Sequence, residues 1–69
     1  MNIVGSNVRK IRENKGWTQD QLAAKCNLLE WSISRGTLAK IESKVRRVTD
    51  IEVKYLCLAL NVEYKCLFE

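Results

Sequence analysis

Apolar residues recur three and four positions apart along almost the whole chain, which is the repeat of an α-helix and not the alternation of a strand. Val4, Val8 and Ile11 form the first such stripe, and Gly16, just after Lys15, is a stop signal. Trp17-Thr18-Gln19-Asp20 restarts the pattern. Thr18 is placed to cap a second helix, with Gln21 at the capping-box offset three residues on. Leu22, Ala23 and Cys26 give that helix an inward face, and Asn27 is expected as a left-handed C-cap, a conformation asparagine tolerates.

A third helix is expected from Ser34, whose hydroxyl can cap the amides of Gly36 or Thr37. Leu38 and Ile41 are its buried residues, and Ile33 is the apolar residue just before the cap. Thr49, with Glu52 three residues on, opens a fourth helix over residues 50–61. That segment is apolar on most sides after Val53, so it belongs at the centre of the fold or under a partner. Residues 62–69, with Tyr64, Leu67 and Phe68, form a short fifth helix in this reading. The expectation is an all-α protein of five short helices, one domain over residues 1–69.

Composition narrows the function. A chain of 69 residues buries a small core and is only marginally stable alone. Three cysteines, an odd number, without a signal-peptide pattern or a run of membrane-spanning length, point to a cytosolic protein with reduced thiols. Cys26 and Cys57 fall on apolar faces and read as small buried hydrophobes. The absence of histidine removes Ser–His and Cys–His catalysis, and three scattered cysteines make a poor zinc set. Gly5, Gly16 and Gly36 stand alone, so there is no phosphate loop. Neither an enzyme nor a bound metal or cofactor is expected.

Twelve basic against eight acidic residues leave a net charge of +4, and the distribution says more than the sum. Arg9, Lys10, Arg12 and Lys15 face only Glu13 in residues 1–15. Arg35, Lys40, Lys44, Arg46 and Arg47 face only Glu42 in residues 35–47. After Val48 the balance reverses, with Asp50, Glu52, Glu63 and Glu69 against Lys54 and Lys65. Two basic segments suggest a polyanion-binding face and another role for the C-terminal end. A solvated basic surface explains the charge equally well.

The combination GWTQDQLAAK…ISRGTLAKIE resembles the lambda-repressor-like (Xre-type) helix-turn-helix family. The resemblance runs from about Val4 to Phe68. It takes in VGSNVRKIRENKGWTQ, similar to the family's first helix and the start of its second, and VTDIEVKYLCLALNVEYKCLF, similar to its closing pair. One stretch departs from the pattern. The surplus lies within NLLEWSISRG, between flanks that still match, and reads as an extended turn between the second and third helices. A few added residues cost only some tenths of a kcal/mol in closure entropy. Leu28, Leu29 or Trp31 can offset that by packing over the junction.

The resemblance implies binding of double-stranded DNA, and it assigns roles by position. Gln19 matches a glutamine that holds a phosphate, aided by free amides at a helix N-terminus. Ser34, Arg35, Gly36, Thr37 and Lys40 occupy the part of the third helix that faces base edges, with Arg35 suited to a guanine. Lys44, Arg46 and Arg47 are expected phosphate clamps. Arg12 and Glu42 match a structural pair between the first and third helices, which removes Glu42 from the DNA set. Trp17 stands where leucine is usual and reads as core; Trp31 is open between loop packing and a groove-edge contact.

The function expected is sequence-specific DNA binding as a transcriptional regulator, a repressor of phage or mobile-element type. It is expected to be a homodimer built around Tyr55, Leu58, Tyr64 and Phe68, which fits the symmetry of operators. The length leaves no room for a ligand-sensing domain, so regulation would come from concentration, a protein regulator or competition for the operator. Two rivals remain: a protein-interaction module on the same fold, served by the apolar tail, and a non-specific nucleic-acid binder.

Overall fold

The computed structural model describes residues 3–68 and contains α1 (Ile3–Asn14), α2 (Gln19–Leu28), α3 (Arg35–Glu42) and α4 (Asp50–Leu60). Among the described residues there is no strand. The expected fifth helix is instead one 3-10 turn, Tyr64–Leu67. Asn61, in the left-handed conformation (φ 56), ends α4 and reverses the chain. In the turn itself, Cys66 N donates to Glu63 O and Phe68 N to Lys65 O, the i→i+3 spacing that suits short pieces.

Both capping boxes form. Gln21 N donates to the Thr18 hydroxyl while the Gln21 side chain accepts from Thr18 N at 2.7 Å. Thr49 and Glu52 repeat the arrangement at the start of α4. Gly16 (φ 73) turns the chain between α1 and α2, with open space around its Cα.

One core cluster joins the elements. It contains Val4 and Val8 of α1, Leu22, Ala23 and Cys26 of α2, Ile33, Leu38 and Ile41 around α3, Val53, Leu56, Ala59 and Leu60 of α4, and Leu67. The inward faces expected of α2 and α3 are all in it, while Ile11, Trp17 and Cys57, also expected inside, are half-buried against it. Burial pushes the Cys26 thiol up to about 11, as expected of a sulfur acting as a hydrophobe. Desolvation also raises the Cys57 thiol, helped by its neighbour Cys66. Asn7 Nδ2 donates to Leu67 O at 2.8 Å and ties the last turn to α1.

The extended turn is built differently from the expected asparagine cap. Asn27 lies inside α2, the C-cap is Leu29, and Glu30 takes the left-handed conformation (φ 67). Asn27 instead holds the corner with its side chain. Its Nδ2 donates to Ala23 O at 2.7 Å and to Ile33 O at 3.1 Å, which spans the surplus residues. Leu29 and Trp31 pack against the core, and the Trp31 ring stacks on Tyr55 of α4 at 5.7 Å. Leu28 does not join them and stays exposed.

Candidate nucleic-acid interface

Helix α3 owes its direction to its two ends. Ser34 caps it by accepting from Thr37 N at 3.1 Å, and Lys44 (φ 68) turns the chain away after Ser43. With Leu38 and Ile41 fully buried, the opposite side must face outward. Gly36 and Lys40 are exposed there, Arg35 is exposed at one edge of that side in the first turn, and Thr37 is half-buried at the other edge. The Ser34 hydroxyl is occupied by the cap and donates its proton to Thr37 Oγ1 at 3.1 Å. Thr37 keeps its own hydroxyl proton for an outside acceptor. A Cβ at Gly36 would meet nothing closer than Ser34 Oγ at 3.8 Å, so the fold does not require glycine at this position.

The helix is locked to α1 by an ion pair. Arg12 Nε donates to Glu42 Oε2 at 2.7 Å and Nη2 to Oε1 at 3.0 Å, while Nη1 reaches Trp17 O at 2.6 Å. Both side chains are buried, and the bond to Glu42 holds the Arg12 guanidinium above its ordinary value against the effect of burial. Gln19 joins this knot: its Nε2 donates to Glu42 Oε1 at 3.1 Å. An amide nitrogen carries two protons, so one remains for an outside acceptor beside the N-terminus of α2.

The expected phosphate residues separate. Lys44 lines a shallow groove of about 520 Å³ with Ser6, Arg9 and Lys10 of α1, Glu13, Glu42 and Ser43. Arg9 in turn pairs with Glu13 at 3.3 Å. Arg46 is engaged from within: Nη2 lies 2.6 Å from Glu52 Oε2 and Nη1 donates to Glu52 Oε1 and to Arg47 O. That bond raises the Arg46 guanidinium and holds the Glu52 carboxyl below its ordinary value. Arg47 lines a different groove, with Ile3, Val4, Val48, Asp50, Val53 and Phe68.

The pattern of capped α2, bracketed turn and outward polar α3 coincides with a sequence match. The model of the helix-turn-helix family, of lambda-repressor-like (Xre) type, matches residues 8–65. The chain belongs to the helix-turn-helix family. Members of that family are DNA-binding regulators and not enzymes. Comparison with curated proteins and with solved structures returns no match.

In this helix-turn-helix protein, α2 and α3 are the pair joined by the extended corner. The C-terminal residues expected at a dimer contact divide. Tyr55 is covered by Trp31, whereas Leu58 (57% exposed), Tyr64 (55%) and Phe68 face outward, with the Tyr64 and Phe68 rings 5.0 Å apart. Ile51 is also exposed, two turns before Leu58 on α4. Two features had no sequence signal beyond charge: the Arg46–Glu52 pair and the contribution of Arg9 and Lys10 to the Lys44 groove. No described helix is long and apolar enough to cross a membrane.

Proposed function

We propose that this protein is a sequence-specific repressor of the phage or mobile-element type, a cytoplasmic homodimer of one domain per chain that lays α3 in the major groove. The observation that carries the reading is the N-terminal part of α3, where Gly36 and Lys40 lie opposite the buried Leu38 and Ile41, with the exposed Arg35 and the half-buried Thr37 at the edges of that face. Arg35 reads a guanine through its planar fork, and Thr37 and Lys40 meet neighbouring base edges. Ser34 sets where that face begins. Gln19 and Lys44 bind phosphates on either side, and Arg47 binds one further along. Arg46, engaged by Glu52, contributes charge and holds the connector in place. Leu58, Tyr64 and Phe68 supply the apolar contact between subunits, with Tyr55 behind them.

The test is selection of a site from randomised duplexes, followed by titration of cognate and scrambled DNA at several salt concentrations. Arg35→Ala should cost about 1–3 kcal/mol on the cognate site and relax preference at one base pair. Lys44→Ala should weaken both duplexes alike and lower the salt slope by about one unit. Equal weakening of both duplexes by Arg35→Ala overturns base reading through that residue. Failure to select any site favours the rival protein-interaction role, for which the exposed Leu58, Tyr64 and Phe68 are the argument. Sedimentation of a monomer, both free at high concentration and on DNA, overturns the dimer.

A further inference from the structure

The outer face of α2 is apolar and basic, and neither DNA reading nor the dimer contact uses it. Trp17 is half-buried at its edge with two ammonium groups over its ring, Lys15 Nζ at 5.3 Å and Lys25 Nζ at 4.5 Å from the centroid. Both distances are within cation–π range. Leu28 closes the face from the other end and is 84% exposed. A lone exposed leucine means little. This one shares a depression of about 370 Å³ with Trp17, Gln21, Ala24 and Lys25.

Gln21, Ala24, Lys25 and Leu28 recur at the helical spacing of one stripe, opposite the buried Leu22, Ala23 and Cys26. From Gln21 to Leu28 the stripe covers about 10 Å of axis, some two turns. Of the acids nearest in sequence, Glu13 pairs with Arg9, and neither Asp20 nor Glu30 forms an ion pair with Lys15 or Lys25. The lysines therefore lean on an aromatic ring and leave their positive field to act outward. Gln19 turns its amide to Glu42, on the opposite side of α2 from this stripe, so an occupant here does not compete with the Gln19 contact.

We propose that this face is a docking site for an acidic amphipathic helix of a protein partner. Its apolar side chains lie on Trp17, Ala24 and Leu28, and its carboxylates meet Lys15 and Lys25. The proposal does not depend on DNA reading by α3.

The probe is an end-blocked amphipathic peptide with leucine and phenylalanine on one face and glutamate on the others. Its control carries lysine in place of glutamate. Amide and indole shifts of the isotope-labelled full chain report where each peptide binds. The acidic peptide should give saturable shifts centred on Trp17, Ala24, Lys25 and Leu28, and the lysine peptide none. Leu28→Ser and Lys25→Glu, both at outward positions, should each weaken it by about tenfold, while circular dichroism remains that of the parent. Shifts centred on Arg35, Lys40 and Lys44 would reduce the effect to general charge attraction. Equal response to both peptides would reduce it to apolar stickiness. Either result overturns the proposal, as does the absence of saturation. If the same resonances move with protein concentration alone, the occupant is a second copy of this chain and the proposal also fails.

Discussion

Two arginine–glutamate pairs join neighbouring segments, Arg12 with Glu42 and Arg46 with Glu52. In the second, the glutamate is also the capping-box partner of Thr49, and a capping carboxylate still has lone pairs for a guanidinium. The two should differ on substitution. Arg12→Ala or Glu42→Ala leaves a buried charge unpaired and should cost about 3–5 kcal/mol, read as a lowered melting temperature. Glu52 should reveal itself through pH. Its carboxyl is held below the ordinary value chiefly by Arg46, so its contribution to stability is complete above about pH 4.3 and is lost as pH falls through the lower folded value. Glu52→Gln should therefore melt lower than the parent at neutral pH and lose less stability on acidification to about pH 3. Parallel melting curves across that range would exclude the linkage.

The helices are legible element by element because caps and apolar stripes agree on the same boundaries. Thr18, Ser34 and Thr49 each begin a helix where a hydroxyl precedes an apolar repeat. The misreadings occur where local signals are ambiguous. Asn27 has the chemistry of a C-cap, but its amide can also bridge two carbonyls, and the surplus chain supplies the second one at Ile33. The residues after Asn61 have helical composition, but the left-handed Asn61 reverses the chain and they form one 3-10 turn. Within α3, Gly36 separates folding from contact. Alanine there finds only ordinary contact with Ser34 Oγ and should stabilise the helix by about 0.5–1 kcal/mol. If the backbone approaches DNA closely at Gly36, Gly36→Ala should raise the melting temperature and weaken operator binding together. An unchanged affinity would place Gly36 away from the duplex.

On the scale of the molecule, the core is legible but the partition of its surface is not, because periodicity reveals which face is buried and not what the other face meets. At about 0.05–0.15 kcal/mol per residue, a domain of this size has only several kcal/mol in reserve. Leu38→Ala or Ile41→Ala, at fully buried positions, should cost about 2–5 kcal/mol and leave a large unfolded fraction at room temperature, measured by denaturant titration. The knot of Arg12, Glu42, Gln19 and the Trp17 carbonyl adds a consequence for genetics. It ties a fold-defining pair to a side chain proposed to hold DNA. If the protein represses as proposed, a selection that scores only loss of repression would rank Arg12 and Glu42 beside Arg35, although neither would touch the operator. Suppressors would tell them apart: stabilising substitutions elsewhere in the core should restore repression to Arg12 and Glu42 variants, and should do nothing for Arg35→Ala.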